Sequence, residues 1–275
     1  LVAFAFNSIL CRLALKFGEI DAASFTAIRL FSGAVILLPV LLKFVGEHRK
    51  LEIHGSWISA FFLFAYAVCF SFAYIDLTTA TGALILFGCV QTTMIVVALL
   101  SGERPQVLEW IGLLFALGGL VYLVFPGLTA PPIFSSLLMM SAGISWGFYT
   151  LRGKGSANPL ADTTGNFVRA VPMTVAFCLP FLYQIQLSRK GVLLAVLSGA
   201  IASGLGYSVW YAALKFHTAT RAAILQLSVP ALAAIGGVVF LAETVSFRLI
   251  FATALILGGI ALAIFGRKYG KSKLT

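Results

Sequence analysis

Few side chains in this 275-residue chain can do chemistry: nine carboxylates, nineteen lysines and arginines, three histidines and four cysteines. Cys11, Cys69, Cys89 and Cys178 stand alone inside apolar runs, with no Cys-x-x-Cys pair among them. His48 and His54 fall in a loop and His217 at a helix end, so metal-ligand spacing is absent from the sequence. No Gly-x-Ser-x-Gly elbow is present. The stretch Gly266-Arg267-Lys268-Tyr269-Gly270-Lys271-Ser272 looks superficially like a phosphate loop, but it has one residue too few between its glycines. The chain is expected not to be an enzyme and to need no metal or cofactor.

What remains is a set of polar and aromatic groups embedded in apolar sequence. An unpaired amide in hydrocarbon is costly, so Gln91, Asn7, Asn166 and Gln226 are expected to face protein or a wet cavity. Gln91 has hydrogen-bonding capacity suited to a zwitterion, although such groups also serve as glue between helices. Aromatic residues recur at helical spacing: Tyr66, Phe70 and Tyr74; Trp146 and Tyr149; Tyr207, Trp210 and Tyr211. Rings with polar tips can line a cavity, stack on an aromatic cargo or attract an ammonium group. Trp146 lies deepest and is the preferred cargo-facing ring; Tyr74, Trp210 and Tyr211 lie near helix ends, where membrane-interface anchoring is the stronger expectation. Arg29 and Arg169 are the costliest residues, at ~2.5–3.5 kcal/mol each at mid-bilayer. Both lie near a helix end, which favours snorkelling over a carboxylate contact or a clamp on carbonyls; the case for Arg12 is weaker.

The elements that must position these groups follow from composition. The chain is 60% apolar and 10% charged, with a mean hydropathy of +1.03. A water-soluble domain carries roughly 25% charged residues, and disorder requires the opposite bias, so the solvent for most of this chain is lipid. Ten apolar segments of spanning length are expected, at 2–17, 22–45, 56–76, 79–100, 107–125, 133–151, 162–184, 190–213, 219–242 and 246–266. The net charge of +10 is spread between these segments rather than forming one stripe, which argues against nucleic acid. With the first segment starting in the cytoplasm, that side gathers Lys43, Arg49, Lys50, Arg104, Arg152, Lys154, Lys215, Arg221, Arg267, Lys268, Lys271 and Lys273. The opposite side has Lys16, Arg189, Lys190 and Arg248. Both termini are therefore expected to be cytoplasmic. The chain opens without Met inside an apolar run, so some N-terminal residues are expected to be missing.

Self-comparison shows a duplication. Thr79-Ala80-Thr81-Gly82-Ala83-Leu84-Ile85 recurs as Thr218-Ala219-Thr220-Arg221-Ala222-Ala223-Ile224, an offset of 139. Glu103 and Gly118-Gly119 recur as Glu243 and Gly258-Gly259, and Arg29 as Arg169, all at an offset of 140. Five segments per copy is an odd number, so the second copy must lie inverted in the membrane. Inverted repeats are a recurring plan of secondary transporters, whose cargo site lies near the midplane between the copies. The expected units are 1–127, 128–268 and a basic tail, 269–275.

The residues of the second copy, Leu227-Ser228-Val229-Pro230-Ala231, Leu241-Ala242-Glu243 and Leu257-Gly258-Gly259, resemble the EamA family of the drug/metabolite transporter superfamily. The first copy matches the later part of the pattern at Leu99-Leu100-Ser101-Gly102-Glu103 and Leu117-Gly118-Gly119, and departs from it at Gln91 in the place of Pro230. Within the family the overall likeness and aromatic content are most similar to YddG-type aromatic amino-acid exporters. The resemblance implies a multi-pass protein of the bacterial inner membrane whose segments one to four and six to nine enclose a cavity, with five and ten outside.

The nine acidic residues, Glu19, Asp21, Glu47, Glu52, Asp76, Glu103, Glu109, Asp162 and Glu243, all fall in loops or at helix ends. The superfamily's small multidrug exporters depend on a glutamate in the first helix, where this chain has Asn7. A facilitator without an embedded carboxylate is expected. Glu103 and Glu243 lead into segments five and ten, where a cap on the helix start is more generic than a gate. Gly143 with Gly147, Gly118 and Gly258 are expected at close helix contacts. The expected cargo is an amphipathic, aromatic or neutral amino acid, carried by alternating access in a monomer. The alternatives are organic cations or drugs, and less so sugar phosphates or nucleotide sugars.

Overall fold

The computed structural model describes residues 1–45, 54–100, 107–125, 130–214, 226 and 228–271. Every regular element among them is helical, apart from a single antiparallel bridge between Ile20 and Leu187. The helices are α1 (Val2–Lys16), α2 (Ala22–Val45), α3 (Trp57–Ala73), α4 (Thr79–Leu100), α5 (Val107–Val124) and α6 (Ile133–Gly153). They continue as α7 (Pro159–Cys178), α8 (Arg189–Val196), α9 (Gly206–Leu214), α10 (Ser228–Leu241) and α11 (Phe247–Lys271). A 3₁₀ turn, Leu179–Gln184, extends α7, and a π-helical stretch, Leu197–Leu205, joins α8 to α9. Four helical stretches are long and apolar enough to cross a membrane: Ala22–Lys43, Thr79–Val97, Pro159–Gln184 and Arg189–Ala213. Trp57–Ala73, Trp110–Leu123, Ser228–Leu241 and Phe247–Leu262 are shorter apolar helices. Large exposed side chains such as Phe31, Trp57, Phe134 and Val239 give the bundle an apolar exterior that water would not tolerate.

Local sequence sets the helix starts. Ser56 accepts from the Ser59 amide at 3.1 Å, and Ser188 from Gly191 at 2.9 Å, each filling an orphan donor of a first turn. Asn158 does the same for Ala161 at 3.2 Å while Pro159 occupies the first helical position. This cap starts α7 three residues before the position that hydropathy alone predicts. The expected segment at 56–76 is shorter as a helix, because α3 ends at Ala73 and the chain turns through Tyr74 to Leu77.

Helices α5 and α11 pack along one another and dock on α4, where Gly88 lies under Leu120 and Ile256. The glycine expectation is off by one residue here. A Cβ at Gly118 or Gly258 would meet nothing within 4 Å, whereas one at Gly259 would come within 2.5 Å of the Gly112 carbonyl. One at Gly119 would lie 2.8 Å from Ile256. Adjacent helical residues are separated by about 100° of rotation, so only one of each Gly-Gly pair can face the seam. Gly143 and Gly147 do lie at a close crossing, against Leu86 and Cys89, and Thr93, of α4.

One end of the bundle is tied shut. Arg12 of α1 donates to the Tyr74 carbonyl at 2.9 Å and lies 3.5 Å from Glu243, an ion-pair distance without hydrogen-bond geometry. Glu243 also accepts from the Thr79 amide at 2.8 Å, and Lys16 donates to the Leu241 carbonyl at 2.9 Å. The cap supplied by Glu243 therefore serves the start of α4, not of α11 as expected. Ala242, at φ 50°, makes the left-handed turn that aims it there; Glu103 lies outside the described residues.

At the same end Ser188 donates to Glu19 at 2.6 Å and Lys190 at 3.1 Å. The Ser188 bond first, then the Lys190 ammonium, hold the Glu19 carboxyl below its ordinary value of 4.5. A depressed carboxyl contributes at neutral pH and its contribution fades as pH falls through the folded-state pKa. The clasp between the α1–α2 and α7–α8 turns should thus persist as pH falls to the ordinary carboxyl value of 4.5 and loosen only below it. Hydrogen exchange at the Asp21 amide, which bonds the Gln186 carbonyl, reads this directly. Loss of protection already above pH 5 would contradict it.

Candidate functional site

At the opposite end a cavity of about 240 Å³ opens between α3, α6, α7 and α9, lined by Ser56, Ser59, Tyr149, Arg152, Asn166 and Tyr211 among others. Hydrogen bonds hold its rim. Gly55 donates its amide to Asp162 and Ser56 to Asn166, both at 3.0 Å, and Arg152 donates to the Ser59 hydroxyl at 3.0 Å. Gly55 has φ +87°, and a Cβ there would lie 2.6 Å from the Asn166 side-chain oxygen. Only glycine lets the chain turn into α3 this close to α7.

The cavity narrows on Tyr149 and Tyr211, whose rings meet edge to face at 5.9 Å. Behind them Trp146 is 3% exposed. Its ring is surrounded by Tyr207 at 4.6 Å, Tyr66 at 4.9 Å, Tyr149 at 5.4 Å and Phe4 at 5.8 Å. A void of about 10 Å³ remains among Phe4, Asn7, Tyr66, Phe70, Trp146 and Tyr207. That holds no more than one water, so the aromatic cluster must spread to admit a ring.

Beneath the aromatics lies a polar knot. Arg29 of α2 donates to Ser203 at 3.0 Å, to Tyr207 at 2.9 Å and to Tyr66 at 3.1 Å. Its guanidinium also sits over the rings of Phe70 at 4.8 Å and Tyr66 at 5.1 Å. Asn7 donates to Ser203 and Tyr207, both at 3.2 Å, and accepts from Ser198. Ser198 and Ser203 come from the π-helical stretch, where Gly199 presses on the Arg29 carbonyl so closely that a methyl would overlap it. Such wide turns concentrate at functional sites.

Of the residues singled out from sequence, Trp146, Tyr66, Tyr207 and Asn7 come together in this cluster, and Asn166 and Tyr211 line the open cavity. Several expectations are corrected. Arg29 does not snorkel: it is 1% exposed and points into the protein. Arg169 does clamp carbonyls, donating to His54 at 2.7 Å and Gly165 at 3.0 Å. Tyr74, Trp210 and Tyr211 are buried rather than anchored at an interface. Tyr74 packs against Gly82 at the tied end and lies away from the cavity. Gln91 is buried with no partner for its amide nitrogen and lines neither cavity. Gln226 is buried too, and Pro230 sits in the first turn of α10, where proline is tolerated. Phe4, Ser198 and Ser203 were not singled out from the sequence. The small-residue run Ser198-Gly199-Ala200-Ile201-Ala202-Ser203-Gly204 is the signal that marks the two serines; Phe4 has none.

An apolar helical bundle holding a one-sided cavity floored by aromatic and hydroxyl groups is the plan of a membrane transporter. The chain belongs to the EamA-like transporter family, whose profile matches residues 1–125 and again residues 133–265. An uncharacterized protein of Pseudomonas aeruginosa is 50% identical over 97% of this chain and 92% of its own. The threonine/homoserine exporter RhtA of Escherichia coli is 28% identical over 94% of this chain and 87% of its own. The uncharacterized transporter YoaV of Bacillus subtilis is 24% identical over 92% and 91%. A solved crystal structure superposes with a TM-score of 0.68 over 97% of each chain at 19% identity, a likeness of fold alone.

Proposed function

We propose that this chain exports amphipathic amino acids across the bacterial inner membrane by alternating access, with aromatic ones, as in YddG-type exporters, the preferred cargo. The observation that carries the reading is a cavity open at one end and tied shut at the other, leading to the Trp146 cluster. In this reading ten spans form two inverted units, 1–127 and 128–268, both termini and the tail 269–275 are cytoplasmic, and a monomer suffices. The open end, which carries Arg152 and Asp162, then faces the cytoplasm, ready to load. The twofold family match and the name of the RhtA relative favour amino-acid cargo and a duplicated chain.

The offset of 140 also relates Arg12 to Arg152. Arg12 is engaged with Glu243 at the tied end, while Arg152 bonds the Ser59 and Ser56 hydroxyls beside the open cavity. Two equivalent arginines in unlike environments are what an inverted repeat caught in one of its two states would have. The carboxylates placed in the structure, Glu19, Asp21, Asp76, Asp162 and Glu243, lie near the two ends. This supports a facilitator over a proton-coupled pump. In the cargo site Trp146, Tyr66 and Tyr207 take the side chain, and Asn7, Asn166 and Tyr211 line the path.

Stacking against Trp146 should supply part of the affinity for an aromatic side chain. Trp146→Ala is expected to weaken phenylalanine binding to the purified protein about 10-fold, while threonine binding changes less. Equal affinity of the variant and the parent for phenylalanine, measured by calorimetry, would rule the cluster out as the cargo site.

A further inference from the structure

We propose that Arg29 is the carboxylate-binding residue of this site, so that the cargo must carry a carboxylate beside its apolar side chain. The proposal rests on the reading of the cavity as a transport path and names the group that path selects. Arg29 is 1% exposed, and no carboxylate reaches it among the described residues. A cation at membrane depth without a counter-ion is among the costliest placements in a protein, and such residues face a partner or a pathway. Its neighbours here are neutral: the hydroxyls of Ser203, Tyr66 and Tyr207 and the rings of Phe70 and Tyr66.

The arrangement is rich in donors. Arg29 Nη1 is buried with no acceptor. The Tyr207 hydroxyl donates onward to Tyr66 at 3.3 Å and receives the Asn7 amide at 3.2 Å. The Asn7 oxygen, the one strong acceptor of this group, is already taken by Ser198. A guanidinium with a free nitrogen, two phenols that can rotate their protons, and an amide N–H together suit a planar anion held at two oxygens. Tyr66, Tyr207 and Asn7 also border the small void under Trp146. A carboxylate on Arg29 would therefore leave its side chain against Trp146 and Phe4. The hydroxyls and rings use only part of the guanidinium, and its unpaired Nη1 leaves one charged donor for an incoming anion.

The test measures binding of phenylalanine, 3-phenylpropionate, phenylalaninamide and phenethylamine to the full chain in nanodiscs. The two carboxylates should bind the parent protein, and both should lose at least about 10-fold in Arg29→Gln. The amide and the amine should bind the two proteins alike. Arg29→Lys should recover part of the carboxylate affinity, because it returns the charge without the fork. If Arg29→Gln does not fold, Arg29→Lys alone decides, by weakening the carboxylates selectively. An equal loss for carboxylate and amide in either folded variant would overturn the proposal and make Arg29 a pin. The outcomes also separate the two readings. Selective phenylpropionate binding without amino-acid transport would keep Arg29 and sink the amino-acid cargo. Phenylalanine transport that matches phenylalaninamide transport would do the reverse.

Discussion

Glu243→Ala is expected to unseal the tied end of the bundle, shifting the balance of conformers by about 100-fold. Two interactions go at once: the acceptor for the Thr79 amide at the start of α4, and the carboxylate that pairs with Arg12. The side chains of Arg12 and Glu243 are 11% and 6% exposed, so water does little to replace either interaction. Removing one partner of a buried pair costs about 3–5 kcal/mol. The 3.5 Å separation, and the bond Arg12 keeps to the Tyr74 carbonyl, set the effect near the lower end. About 3 kcal/mol corresponds to roughly 100-fold in an equilibrium. A cysteine at Ala80, which is 7% exposed in α4 just below the seal, reports the change in a background without the native cysteines. Its labelling by an impermeant maleimide added from the tied face should accelerate strongly in Glu243→Ala. Glu243→Gln, which keeps an acceptor for Thr79, should fall between. Identical labelling of all three proteins would show that Glu243 is no part of a seal.

The second large effect concerns packing outside the cavity. Gly259→Leu should separate α5 from α11, because its side chain would have to displace the Gly112 carbonyl and the Ala116 amide, backbone atoms that cannot rotate away. Overpacking a fitted interior costs 1–3 kcal/mol, and a clash with backbone puts this substitution at about 3 kcal/mol or above. Gly258→Leu, one residue earlier, faces open space and should be tolerated. The pair is its own control: thermal unfolding in detergent should drop for position 259 and stay for position 258. Equal destabilisation at both would contradict the seam described here.

The helices were legible in the sequence because lipid demands long apolar runs; hydropathy alone did not show the caps, so the Asn158 and Pro159 start of α7 was missed by three residues. Trp146 could be singled out because a large amphipathic ring deep in a span has few other places to go. Which face of a helix a residue takes was much less legible. In a helix that is apolar all round, hydropathy carries no directional signal, so Gly118 could not be told from Gly119, nor Gly258 from Gly259. The same gap misplaced Tyr74, Trp210 and Tyr211: distance from a helix end predicts depth in the membrane, not whether the side chain turns toward lipid or toward a neighbour. The position of Arg29 near a helix end permits snorkelling, yet partners as far away in the chain as Tyr207 turn it inward. The π-helical stretch has no sequence signature beyond its small residues, and it is what brings Ser198 and Ser203 onto Asn7 and Arg29.

Flux in proteoliposomes tests whether the protein is a facilitator that moves aromatic amino acids through a site between two halves. Labelled phenylalanine would be compared with a quaternary ammonium ion and a sugar phosphate, with and without a pH gradient. Saturable phenylalanine flux is expected, accelerated by phenylalanine on the other side and independent of the gradient. Flux of the quaternary ammonium ion or the sugar phosphate without any of phenylalanine would contradict it.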